Sequence, residues 1–409
     1  MTASTRRPTE MEARARLSSK LSDENSDVVA FLGAFCFFLS AVEYMVPKPL
    51  PFMRLGIANL PILIGAAFLP LPRLLALALV KVLGMSLVSG TLFSYVALFS
   101  LAGTLTATAV MWAALKAPRG LLSSIGASTL GALASNAAQL LLARAFVFGE
   151  AARLVAPPFL AAGLVTGALL GAFAERFAAK STWLSAIAAG EEPAAARAVA
   201  QEKVASRDEA RSRPLAGGAA RARRTAERRA ERRAERRAER RARWEATVPP
   251  GAAAAIGAVS SLALLFASSL PIRAAMLALF IVAAWLSGKK ISLASTLIAS
   301  AGIVAANLLV PVGRVLASLG PLRITETALL DGIEKAFVFE GLIYASKAFI
   351  QRGLRLPGKL GSIIASAFES YDRIVEYEGR LRPATFIEDA DRLMLEIWKD
   401  RPRRSGHAA

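Results

Sequence analysis

Long apolar runs recur in two blocks of this chain and constrain its fold more than any other feature. They lie at residues 28–46, 56–71, 73–91, 92–115, 121–148 and 154–177, and again at 251–269, 271–287 and 291–311. Runs of about 18 residues or more are long enough to cross the hydrocarbon of a bilayer. Inside a bilayer the backbone must satisfy its own hydrogen bonds, so an uninterrupted apolar run is read as a helix. The expected fold is all-α, a polytopic membrane helix bundle. Five regions are expected: a cytoplasmic N-terminal tail (1–27), a six-helix membrane module (28–178), a linker (179–248), a second membrane module of three or four helices (249–350), and amphipathic helices with a tail (351–409). Pro61 and Pro70 mark the second run as short and broken or tilted, which a membrane tolerates where neighbours satisfy the freed backbone groups.

Between the two blocks stands the sequence AERRAERRAERRAERR, residues 226–241. Ala, Glu and Arg are strong helix formers, but nothing here is apolar enough to make a core. The stretch 201–248 carries sixteen Lys plus Arg against eight Asp plus Glu, and so supplies +8 of the net +19. It reads as a solvated helical spacer whose arginines lie along anionic lipid headgroups. A nucleic-acid partner is not expected, because no aromatics are interleaved and no folded reader module is present. Basic residues concentrate on the cytoplasmic side of membrane proteins. The N-terminus and linker are therefore placed in the cytoplasm, and the chain in the cytoplasmic membrane of a bacterium.

One cysteine, Cys36, and one histidine, His407, exclude an internal disulfide and a Cys/His zinc site. No phosphate loop ending in Gly-Lys-Ser/Thr and no Gly-x-Ser-x-Gly elbow occurs, nor a paired aspartate-rich motif of the kind that holds magnesium diphosphates. No cofactor and no catalytic residues are expected, and the chain is read as a non-enzyme. What remains are polar groups inside apolar runs. Lys81 sits near the middle of 73–91, where a lysine costs about 2.5–3.5 kcal/mol on insertion scales and so should face the interior or a wet cavity. Asn136 and Gln139, three apart, share one helix face, which turns inward. Asn59, Arg54 and Ser86 complete the candidate substrate-binding set, with Ser94 weaker. Glu43 and Arg144 lie near helix ends, where snorkelling is the simpler reading, although Glu43 could also serve as a structural partner of Lys81. Ala30 and Ala34, with Gly33 beside them, would let another helix approach closely. Asp331 and Lys335, four apart, mark the polar side of an amphipathic helix near the end of the second block.

The run PKPLPFMRLGIANLPILIGAAFLPLPRLLALALVKVLGMSLVSGTLFSYVALFSLAGTLTATAVM resembles the Gx transporter family, whose members are often labelled heptaprenyl diphosphate synthase component I. Pro51, Arg54, Leu55, Gly56, Asn59, Lys81, Gly84, Ser86, Gly90 and Gly103 fall in that family's order. The layout is also similar to the substrate-binding S components of energy-coupling factor transporters, and this likeness implies a small vitamin-like substrate. In that wider group an Ala-x-x-x-Ala on the first helix docks a T component, and Ala30 with Ala34 match it. The stretch GPLRITETALLDGIEKAFVFEGLIYASKAFIQRGL is similar to part of a T component, in which Arg352 would contact separate ATPase subunits. The family label itself implies an alternative, an accessory membrane subunit of polyprenyl diphosphate synthesis. A non-transporting membrane scaffold is a third reading.

Overall fold

The structure is a computed structural model that describes residues 10–45, 56–118, 122–189, 232, 235–319, 322–351, 353–354, 356–376 and 385–399. The chain is an all-α bundle with one small hairpin. Helix α1 (Glu10–Met45) is followed by a tight turn at Ile57–Asn59 and the short α2 (Leu60–Ala66), and then by α3 (Leu71–Ser89) and α4 (Tyr95–Leu115). Next come α5 (Ser124–Ala143), α6 (Ala152–Lys180) and the short α7 (Thr182–Ala189). The second half holds α8 (Glu235–Thr247), α9 (Pro250–Phe266), α10 (Leu270–Leu286) and α11 (Leu293–Leu308). After them come strands β1 (Val315–Leu319) and β2 (Leu322–Thr325), then α12 (Glu326–Phe349), α13 (Gly358–Glu376) and α14 (Phe386–Lys399). Residues 26–43 of α1, α3, α4 and the stretch 124–180 that contains α5 and α6 are long and apolar enough to cross a membrane. The Ile57–Ala66 segment, α10 and α11 are shorter apolar helices, and α8 meets α9 at a bend of 92°.

Local chemistry sets the helix ends. Pro70 precedes α3, Pro72 occupies its first turn, where no backbone donor is needed, and Gly90 at φ +65° closes it. Ser123 Oγ accepts from Gly126 N at 3.2 Å and caps α5. The antiparallel hairpin pairs Leu319 with Leu322 and was not foreseen from sequence.

Three layers follow from the packing. One apolar core joins α1, α2 and most of α3 to Ala107 and Met111 of α4, Ala127 of α5 and Ala174 and Phe177 of α6, and also to Ile364, Ala367, Leu393 and Trp398 of the C-terminal helices. The other joins the opposite ends of the same helices, Tyr95, Phe99, Ala143 and Phe159, to α9–α12. Helices α4, α5 and α6 thus run through both. Their close contact rests on Gly163, Gly167 and Gly171, one turn apart on α6. A Cβ at Gly171 would lie 2.4 Å from Ile125 Cα, so only glycine lets the two backbones meet there.

The C-terminal helices, expected as cytoplasmic appendages, pack on the first module. Ala367 and Phe368 of α13 meet α1, and the Phe368 ring stacks on Phe37 at 4.8 Å. Ala30 and Ala34 are buried within the chain, on the helix that α13 covers. Asp391 of α14 caps α7, accepting from Thr182 N and Trp183 N at 3.0 Å each and from the hydroxyls of Ser181 and Thr182. Beside it Phe31, Trp183 and Trp398 form an aromatic cluster with centroids 5.2–5.8 Å apart, each such pair adding about 0.5–1.5 kcal/mol beyond its buried area. The expected solvated linker helix also behaves differently at its end. In α8, Trp244 is half-buried and its ring lies 6.2 Å from that of Phe349.

Candidate functional site

Between the two apolar cores lies a polar layer. On α4 the order is Phe99 in one core, Ser100 and Thr104 at the cavity, then Ala107 in the other core. On α5 it is Ala127, then Ala132, Ser135, Asn136 and Gln139, then Ala143, and on α6 Thr166 falls between Phe159 and Ala174. Lys81 of α3, Asn59 and Glu43 close the cavity on the remaining sides. Polar groups held away from water need one another as partners, which is why these gather at one depth.

Most of the predicted groups can be located. Lys81 is 4% exposed, and its ammonium donates to Asn59 Oδ1. Asn59 is held by the turn that Gly56 starts in the left-handed region, φ +83°, with Asn59 N donating to Gly56 O at 2.8 Å. Asn136 Nδ2 donates to Phe159 O at 2.8 Å, and Gln139 Nε2 donates to Ser135 Oγ at 3.0 Å. Gly103 makes room for this amide, since a Cβ there would sit 2.6 Å from Gln139 Nε2. Gln139 Oε1 is buried and, among the described residues, has no hydrogen-bond partner. A buried carbonyl without a donor costs about 1–3 kcal/mol, so it is a standing acceptor for a donor entering the cavity.

Four of the six predicted binding residues, Lys81, Asn59, Asn136 and Gln139, therefore come together. Ser86 does not. It is buried farther along α3, where its carbonyl accepts from Thr91 N at 2.9 Å. Arg54 and Arg352 lie outside the described residues. Ser94 stands at the N-cap position of α4, but its hydroxyl does not cap the helix and donates back to Thr91 O at 2.7 Å. Glu43 corrects the snorkelling expectation: it is 4% exposed, lines the cavity and accepts from Ala58 N at 3.3 Å. Arg144 lies at the far end of α5, half-exposed and paired with Glu150 at 2.6 Å. The hydroxyls of Ser100, Thr104, Ser135 and Thr166 were missed. Such residues in membrane helices usually bond a carbonyl one turn back, as Thr108 does to Thr104 O at 2.7 Å, and so carry no sequence signal of a site.

The cavity offers one cation, one carboxylate, three amides and several hydroxyls. About 30 Å³ of it is free, room for water and not for an organic molecule. In this conformation the site is closed, and a larger guest requires the helices to separate.

Residues 252–352 match a domain of unknown function, and no curated protein or solved structure matches the chain. Residues 32–177 match the family described as heptaprenyl diphosphate synthase component I, and that range contains every residue lining the cavity. The cavity-bearing part of this membrane helical protein is thus similar to heptaprenyl diphosphate synthase component I.

Proposed function

We propose that the chain is a membrane transport protein whose first module binds a small polar solute, vitamin-like or a cofactor precursor, in the mid-depth cavity. The observation that carries this reading is the convergence of Lys81, Asn59, Asn136 and Gln139, with the unpartnered Gln139 Oε1 among them. Lys81 would meet an anionic or acceptor group of the solute, and Gln139 Oε1 a donor. The cation and carboxylate in one cavity suit a solute with both kinds of group. The second module and the C-terminal helices would form a T-like scaffold. If substrate moves uphill, the energy would come from separate ATPase subunits contacted near Arg352.

The family match favours a second reading, a non-catalytic membrane subunit of a prenyl diphosphate synthase. Mass spectrometry of small molecules that copurify with the full chain, together with a prenyl-transfer assay on complexes it pulls down, separates the two. A bound polar solute that is lost in Lys81→Met supports transport. Prenyl-transfer activity in the complex, with no bound solute, supports the subunit reading and overturns the first.

A further inference from the structure

A second site lies outside the inner cavity, where α8 meets the turn between α10 and α11. The end of the Arg-rich repeat places Arg236, Arg240 and Arg243 on successive turns of α8, with Arg237 beside them, and all four line a cleft of about 690 Å³. Lys289 and Lys290, from the turn after α10, line it from the other side. One carboxylate, Glu239, shares the lining, so the cations outnumber it heavily. Among the described residues, Arg236, Arg237 and Arg243 have no ion pair.

An apolar gap of about 370 Å³ adjoins this cleft, lined by Ile281, Val282 and Leu293. Trp285 and Ile291 line both spaces. Arg240 stacks over the Trp285 ring at 4.4 Å, which turns its guanidinium to the boundary between the charged and the apolar space. Val282, Trp285 and Leu293 are each more than half exposed, on helices whose outer surfaces are apolar.

We propose that this paired cleft and gap binds a membrane lipid whose headgroup carries two phosphate groups, with its chain lying against Trp285, Val282 and Leu293. Arginine forks suit phosphate oxygens, and six cations around one carboxylate exceed what a single phosphate would neutralise. A free inorganic anion would leave the gap unused, and so would a nucleic acid. General attraction of a basic helix to a charged surface does not require Lys289 and Lys290 on a second element. The site is independent of what the inner cavity binds.

The test uses the full chain in mild detergent, with retained lipid read by native mass spectrometry. The probes are cardiolipin, a polyprenyl diphosphate, phosphatidylglycerol at matched phosphate and inorganic diphosphate. Either two-phosphate lipid should be retained roughly tenfold better than phosphatidylglycerol. Cardiolipin alone would mark a bilayer component as the ligand, and the polyprenyl diphosphate alone an isoprenoid, and each supports the site. Lys289 also donates to Ile350 O at 2.9 Å, so the deciding variant is the exposed pair Arg236→Gln with Lys290→Gln. It should lower retention roughly tenfold or more while the melting temperature holds. Equal retention of phosphatidylglycerol, inorganic diphosphate binding as tightly as the lipids, or an unaffected double variant overturns the proposal.

Discussion

The inner cavity and the outer cleft are both polar spaces in an apolar protein, yet they are built on opposite plans. The cavity has one cation and one carboxylate, its amides and lysine are hydrogen-bonded to named neighbours, and glycine makes room for Gln139. The cleft is wide, overwhelmingly cationic, and edged by exposed apolar side chains. A buried site is pressed to pair its polar atoms one by one, because unpaired groups are costly there, and Gln139 Oε1 is the exception among the described lining residues. At an exposed surface, water and ions screen the arginines, so charge can accumulate with few ion pairs. Any specificity in the first would come from fit, and in the second from charge density combined with an apolar edge.

The contrast can be broken experimentally. The largest effect is expected at Lys81. Lys81→Met keeps most of the stem volume and removes a charge-assisted hydrogen bond to Asn59 and to any guest. Hydrogen bonds to charged groups contribute about 1.5–3 kcal/mol, so solute affinity should fall on the order of 100-fold, by calorimetry, with a modestly lower melting temperature because buried Asn59 Oδ1 loses its donor. Unchanged affinity would return Lys81 to a purely structural role. Next is Gly103→Ala, whose new methyl group meets Gln139 Nε2 at 2.6 Å and Ser135 Oγ at 2.7 Å. Overpacking of this kind costs about 1–3 kcal/mol, visible as a lower melting temperature. Gly251, with open space around it, is the control, and a Gly251→Ala change should not show the overpacking penalty.

Smaller effects sharpen the comparison. Asp391→Ala removes the cap on α7, and losing such a cap costs about 0.5–2 kcal/mol. Limited proteolysis should then release the C-terminal helices sooner, while lipid retention at the cleft is unaffected, because α14 braces only the first core. Equal loss at both sites would mean that the two are mechanically one. The smallest effect is in salt: raising ionic strength from about 0.1 to 1 M shortens the screening length from about 10 to about 3 Å. Retention at the cleft should weaken several-fold, and binding in the cavity should barely move.

Much of the cavity was legible because a lysine or an amide inside an apolar run has few physical options. Lys81, Asn136 and Gln139 announce themselves by their cost. Glu43 did not, since a carboxylate near a helix end can reach water as easily as a cavity. The cleft was half legible: the repeat advertises its charge, but nothing in AERR says that its last turns rest beside Lys289 and Trp285. The placement of α13 and α14 on α1 was not legible at all. Their amphipathic pattern predicts a buried face without naming what buries it, and the contact from Asp391 back to Ser181 spans 210 residues.

That long contact bears on how the protein is made. A ribosome delivers α1 through α7 well before it delivers α14, so the first core is born without Leu393, Ile397 and Trp398, and α7 without its cap. Loop closure over such a separation is entropically slow to find but cheap to extend, the cost growing only with the logarithm of length. The charged linker can therefore be long at little thermodynamic cost. Until the last helix arrives, Phe31 and Trp183 present bare aromatic faces, and these are the surfaces a chaperone or an insertion factor would meet during synthesis.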